Sequence, residues 1–411
     1  MMSQSRPGSL WANRDYLLRW SGQAVSIIGS QVSQIAFPLL IIGLTRSTAQ
    51  AGFAAAVRIV PYLLLSLPAG ALVDRWNRKR TMIVCDTGRA LALGSVPLAL
   101  ATGHLSILQL YVVSLVEGSL FVFFSLALTA SLPRIVRTDQ LPAAMGQNEA
   151  SYQLSAIIGP PVGGLLYGIG RAVPFLVDTV SYTASVVSLF FIRSELLADR
   201  ERGPRNLRLE IAEGLTWLWN QPVVRTIGFL SSVAWVMLTA LDLVVIVLAR
   251  QQHASSLTIG AIFAVGGAGG IFGSLMAGPV QRRLGLGRVI VGCAWLWAIL
   301  WPLYALTRSL VVLAVITAAL FVVWPIYNVV QMSYRTALIP DALQGRVNSA
   351  FRLISFSGQP VGFALSGALI QAVGVRASVL ILGLAPLIMA IGATSSRHIR
   401  TARPLHEIRV A

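Results

Sequence analysis

The sequence predicts an all-α polytopic membrane protein: twelve transmembrane helices in two six-helix halves, with both termini cytoplasmic. Three observations predict it. The 411 residues are 55% hydrophobic and only 11% charged, with a mean hydropathy of +0.73, where a soluble domain carries about 25% charged residues. The apolar residues form long continuous runs rather than the roughly ten-residue alternation of a membrane β-barrel. The cations are distributed unequally between alternate loops.

Each run is long enough to cross a hydrocarbon core about 30 Å thick, at about 1.5 Å rise per residue. The first six spans are read at 18–43, 51–73, 81–103, 106–131, 148–169 and 173–193. A polar stretch, 194–221, separates them from six more at 222–249, 257–280, 288–307, 309–334, 347–371 and 374–395. The halves are therefore 1–193 and 222–395, and a tail covers 396–411. With the N-terminus inside, 26 of the 32 Lys and Arg fall in inner segments and their flanks, and 5 fall in outer loops. The remaining cation, Arg58, lies within the second span away from its ends. This is the positive-inside bias. It accounts for the net charge of +17 without a nucleic-acid partner, because the cations are scattered rather than gathered on a basic domain. The expected location is a cell (inner) membrane of a prokaryote, and no signal peptide is read in the first twenty residues.

The linker divides in two. "ADRERGPRNLR" is a charged connector, and "LEIAEGLTWLWNQP" sets Ile211, Leu215 and Leu218 at helical spacing, opposite Glu210 and Glu213. That pattern predicts a short helix lying on the inner membrane surface. The halves also resemble each other. "AGALVDRWNRKR" after the second span answers to "AGPVQRRLGLGR" after the eighth, and "GPPVGG" (159–164) answers to "GQPVGF" (358–363). Two parallel six-span repeats place a substrate site near the midplane between them.

Cys85 and Cys293 lie far apart in apolar runs, and His104, His253, His398 and His406 fall in loops or the tail. No metal centre, cofactor or enzymatic constellation is expected, and no phosphate-binding loop for ATP is present. A membrane receptor or enzyme is disfavoured by the lack of a soluble domain.

"GALVDRWNRKR" resembles the loop signature Gly-x-Leu-x-Asp-Arg-x-Gly-Arg-Lys/Arg of the major facilitator superfamily, matching at Gly70, Leu72, Asp74, Arg75, Arg78 and Lys79. Asn77 stands where the family often has Gly, a residue that tolerates a left-handed turn. The resemblance implies a cytoplasmic gate in which Gly70 permits close helix approach and Asp74 faces a neighbouring helix N-terminus. Arg75, Arg78 and Lys79 complete it, and Asp86 and Arg89, spaced i,i+3, are expected to support it. "GQNEASYQLSAIIGPPVGG" resembles the family's fifth-helix antiporter motif at Gly146, Gly159, Pro160, Gly163 and Gly164, with Ser155 replacing one glycine. Pro160 is expected to bend the helix. Together with "LPRIVRTDQLPAAMGQNEAS" and "EGLTWLWNQPVVR", these motifs look like the enterobactin-exporter and macrolide-efflux branch, with lysophospholipid transporters nearby. The resemblance implies export of small amphipathic compounds by proton antiport, with lipid flipping as the alternative, and a monomer as the working unit.

Ionisable groups inside spans are functional candidates by default. Glu117, mid-bilayer in the fourth span, is the first proton carrier considered, and "SLVEGS" puts Ser114 where related antiporters carry Arg. Asp242 in the seventh span is a second acid or an outer gate near Arg250, and Arg58 is a partner for either acid. Asp178 is expected to be structural. Gln23, Ser30 and Gln34 share one face of the first span, flanked by Gln31 and Ser33, and either line the cavity or pack against a neighbour. Trp324, Tyr327, Asn328 and Gln331 offer the aromatics and sparse amides that suit an amphiphile. Interfacial aromatics and packing amides are the competing reading for these four, and an interfacial or packing role is the favoured one for Trp295, Trp297 and Trp301.

Overall fold

The computed structural model describes residues 10–73, 75–194, 207–340 and 343–402. Asp74, most of the charged linker and the tail beyond 402, including His406, lie outside the described residues. Among the described residues every regular element is helical. Helices α1 (Arg14–Thr45), α2 (Thr48–Val73), α3 (Arg78–Ala101), α4 (Ile107–Ile135), α5 (Leu141–Ile169) and α6 (Val173–Phe190) follow the first six expected spans. After the linker come α7 (Leu207–Asn220), α8 (Pro222–Gln251), α9 (Ser256–Leu300), α10 (Leu303–Leu306), α11 (Leu310–Leu338), α12 (Gln344–Phe356), α13 (Gly358–Val373), α14 (Val375–Leu382), α15 (Leu384–Ser395) and α16 (Arg397–Arg400). Ten helical segments among the described residues are long and apolar enough to cross a membrane. The chain is a multi-pass membrane protein.

Two boundaries differ from expectation. The loop expected between the eighth and ninth spans is a bend within α9 at Gly285, whose φ of 68° is the left-handed value that glycine adopts without strain. Helix α5 begins at Leu141, so Gly146 lies inside it. It also runs unbroken through Pro160 and Pro161.

Two compact units emerge from the packing: 1–36 with 64–202, and 37–63 with 203–411. In the first, Gly159 and Gly163 of α5 press against residues 31 and 32 of α1, and a Cβ built on Gly163 would lie 2.6 Å from the Val32 carbonyl oxygen. In the second, Gly358 and Gly362 of α13 press in the same way against Ser232 and Val236 of α8. The repeat visible in sequence is thus one packing device used twice, in which small residues four apart let backbones touch. A third crossing joins the start of α2 to α13. Cβ atoms built on Gly52 and Gly367 would each come within about 3 Å of the other's Cα, and Thr48 Oγ1 donates to the Gly367 carbonyl at 3.1 Å. Thr48 N also donates to Gln371 Oε1 at 3.0 Å. Glycines 266, 269 and 273 of α9 seat it on α11.

These contacts separate glycines that look alike in a motif. Gly163→Val is expected to lower the melting temperature in detergent sharply, because overpacking costs about 1–3 kcal/mol and backbone atoms cannot move aside. Gly146 has no atom within 4 Å of a built Cβ. Gly146→Ala should instead raise stability by up to about 1 kcal/mol through helix propensity. Equal melting curves for the two variants would refute the assignment.

Helix α7 forms where the apolar spacing places it, and it docks on α12. Leu218 is buried, Gly214 abuts the Arg346 carbonyl of α12, and Glu213 pairs with Arg346.

Candidate functional site

The first unit buries a charged cluster midway along its helices. Arg89 stands eleven residues into α3 and Glu117 ten residues into α4, each about 15 Å from its helix end. Arg89 is 3% exposed and Glu117 1%. Arg89 Nη1 donates to Asp86 Oδ1 at 3.2 Å, one turn back on the same helix. Its Nη2 donates to the Tyr182 hydroxyl of α6 at 2.5 Å and lies 3.8 Å from Glu117 Oε1. The guanidinium carbon also sits 4.1 Å from the Tyr182 ring centroid, with Phe121 and Phe124 around it. Such cation–π contacts strengthen when water is excluded.

Tyr182 connects the cluster to the first span. Its hydroxyl has one hydrogen and two acceptors within reach, Glu117 Oε1 at 3.1 Å and Ser30 Oγ at 2.9 Å. One turn away on α6, Asp178 accepts from Ser33 Oγ at 2.5 Å and from Ser181 Oγ at 3.0 Å. Asp178 is fully buried and interacts electrostatically with both Glu117 and Arg89. Three carboxyl groups and one guanidinium therefore share a buried site built by α1, α3, α4 and α6. Among the described residues no group of His, Cys, Asp and Glu is arranged to hold a metal.

This arrangement revises several expectations. Asp86 and Arg89 belong to the cluster midway along the helices and not to the loop, because α3 begins at Arg78 and carries Arg89 three turns inward. Asp178, expected to be structural, lies in the same cluster, hydrogen-bonded to Ser33 and Ser181. Ser30 and Ser33 bond to α6 rather than opening on a cavity, and Gln31 packs against Gly159. Gln34 is exposed and Gln23 half-buried. Ser114 and Ser155 are both buried. Tyr182 escaped the sequence reading, although Asp178, Tyr182 and Ser185 are spaced i, i+4, i+7 on one helical face.

The loop signature is tied down within its own unit. Asn77 has φ of −67° and caps α3 by accepting from the Arg80 amide, so its value there is capping and not a left-handed turn. Lys79 Nζ donates to the Phe190 and Ile192 carbonyls at 3.0 and 2.7 Å, closing the end of α6. Arg78 is buried and Arg75 exposed. Among the described residues a Cβ built on Gly70 meets no atom within 4 Å.

In the second unit the tenth-span aromatics divide by depth of burial. Tyr327 is buried, its hydroxyl 2.9 Å from Ser231 Oγ, and Trp297 and Trp301 are also fully buried packing residues. Trp295 is partly exposed and donates to Thr394 Oγ1. Trp324 is half-buried and meets Trp235 edge-on at 4.9 Å, and Trp235 meets Phe356 at 5.3 Å. Gln331 Nε2 donates to Asn328 Oδ1 at 2.9 Å. Asp242 shares the face of Trp235, seven residues on, but Arg250 turns to Ser256 Oγ at 3.1 Å instead of pairing with it. Arg58 lies on α2 in this unit.

The family model described as Major Facilitator Superfamily matches residues 19–362 and 227–407. The multidrug efflux pump Tap of Mycobacterium tuberculosis (strain H37Rv) is 28% identical over 370 residues, covering 87% of each chain. The enterobactin exporter EntS of Escherichia coli is 25% identical over 354 residues, covering 84% of this chain and 82% of its own. The crystal structure of the nucleoside transporter NupG superposes with a TM-score of 0.74 at 12% identity, covering 95% of this chain and 100% of that one. It shares the fold.

Proposed function

Because this chain belongs to the major facilitator superfamily, we propose that it exports small amphipathic compounds across a bacterial inner membrane by alternating access, driven by proton antiport. The observation that carries the proton is the buried cluster. With all three carboxyls ionised, Asp86, Glu117 and Asp178 outweigh Arg89 by two negative charges, an excess that proton binding relieves. Glu117 is the carrier, because it alone of the three touches both the guanidinium and the tyrosine that leads to α1. The similarity to Tap and EntS supports efflux as the direction. Purified protein in proteoliposomes, given an imposed pH gradient and a panel of amphipathic compounds, should move at least one compound against its gradient. No gradient-dependent flux of any compound would overturn the reading.

The chain crosses twelve times in this proposal: the 51-residue segment Ser256–Leu306 crosses twice about Gly285, and α5 adds a crossing to the ten segments long and apolar enough to do so. Both termini are then cytoplasmic, and one chain is the working unit. The gate role narrows to Gly70, Asp74 and Arg75, since Lys79 is committed to α6 and Arg78 is buried in its own unit. Open space at Gly70 suits a contact made in only one of the alternating states. Asp74→Asn should insert normally and transport several-fold more slowly, whereas full activity would leave the loop with a topological role alone.

A further inference from the structure

The second unit holds a buried cation that nothing among the described residues neutralises. Arg335, near the end of α11 that the positive-inside bias assigns to the cytoplasm, is 8% exposed. Its guanidinium carbon lies 3.8 Å from the ring centroid of Phe351 on α12. Nη1 donates to Gln331 Oε1 at 3.2 Å, and Nε has no hydrogen-bond partner. No carboxylate among the described residues lies within ion-pair distance, and the charged neighbour that acts on it is a second cation, Arg352.

A buried carboxyl escapes such a position by taking up a proton. An arginine has no such escape, because it stays protonated throughout the accessible pH range. Snorkelling to lipid headgroups is the usual relief for a cation near a helix end. Arg335 does not take it, since it is stacked on Phe351 inside the unit. Arg352, next to Phe351 on α12, is exposed, and its guanidinium carbon stands 5.8 Å from the ring of Phe356. Phe356 opens the half-buried aromatic series that continues through Trp235 and Trp324. Gln331 gives one amide hydrogen to Asn328, so the Asn328 amide keeps its own hydrogens for another acceptor.

We infer that Arg335 and Arg352 form an oxyanion subsite at the foot of the aromatic wall, and that the ligand is an amphiphile bearing a carboxylate or phosphate on an apolar body. The planar guanidinium fork suits either group, and the apolar body lies along Phe356, Trp235 and Trp324. The inference rests on the exporter reading and names its substrate class. A diffusible anionic amphiphile and an anionic lipid headgroup present the same chemistry.

Full-length protein in phosphatidylcholine nanodiscs tests it by tryptophan fluorescence, with dodecyl phosphate and dodecyltrimethylammonium as matched probes and empty nanodiscs subtracted. Dodecyl phosphate should bind about tenfold tighter or more. Arg352→Gln and Arg335→Gln should each weaken that binding by about tenfold while leaving the cation unchanged. Arg335→Lys, which keeps the charge, guards against a variant that fails to fold and should weaken it less. Arg283→Gln, which removes a charge elsewhere, should change nothing. Equal affinity for the two probes, or undiminished phosphate binding in both glutamine variants, overturns the subsite. Repeating the titration with phosphatidylglycerol in the nanodiscs separates the sources: competition assigns the site to a lipid headgroup, and its absence assigns it to a diffusible amphiphile. Binding is read without flux, so binding without gradient-driven transport would count against the exporter reading and not against the subsite.

Discussion

Arg89→Met is expected to destabilise the protein by about 3–5 kcal/mol, the cost of removing one partner from a buried ion pair and leaving the other uncompensated. Here the residue left behind is not one acid but a cluster. Asp86 loses its ion-pair partner, Tyr182 loses the donor to its hydroxyl and the cation over its ring, and Glu117 loses its nearest positive charge. The loss should appear in detergent as a melting temperature well below that of the parent, with little monodisperse protein recovered. Arg89→Lys should fall between the two, because a single ammonium cannot reproduce a fork that reaches both Asp86 and Tyr182. Adding Asp86→Asn to Arg89→Met should recover part of the stability, since it removes one of the stranded charges. A methionine variant that melts like the parent would mean that the guanidinium does not hold the cluster together.

The elements of this fold are legible in the sequence because the bilayer imposes a simple rule: every crossing must be long, apolar and internally hydrogen-bonded. Thus α2, α3, α4 and α8 begin and end within a few residues of their apolar runs. The glycine pairs 159/163 and 358/362 are legible as a repeat, and their packing proves equivalent in the two units. The cluster was only half legible. Glu117 stands out as an acid in an apolar run, but its partners arrive from three other helices. No spacing along the chain shows that α3 and α6 turn Arg89 and Tyr182 toward α4. Arg89 misleads for a further reason. It closely follows a cationic loop and reads as one more inner anchor until the start of α3 at Arg78 sets its depth. Asn77 misleads in the opposite sense: its likeness to glycine suggests a left-handed turn, whereas its side chain serves as a cap. The aromatic wall joins Trp235, Trp324 and Phe356, three residues separated by more than thirty positions each, and only Trp324 was legible as a candidate.

Glu117→Gln is expected to reduce export driven by a pH gradient by at least about tenfold, the scale on which a positioned proton-transfer group acts, while leaving the melting temperature close to that of the parent. Glutamine keeps an oxygen for Tyr182 to donate to, and Arg89 keeps Asp86, so the packing survives. What is lost is the ability to exchange a proton. The variant imitates a permanently protonated Glu117, and substrate exchange that needs no net proton movement should persist and become insensitive to pH. Asp178→Asn makes the same formal charge change at the neighbouring carboxyl. Asp178 accepts from Ser33 and Ser181 and is not in ion-pair contact with Arg89 among the described residues, so its neutralisation should slow transport less than that of Glu117. The reverse ranking, with gradient-driven export intact in Glu117→Gln and abolished in Asp178→Asn, would move the carrier from α4 to α6. It would also make the Ser33 hydroxyl, rather than Tyr182, the group through which protonation is felt by the first span.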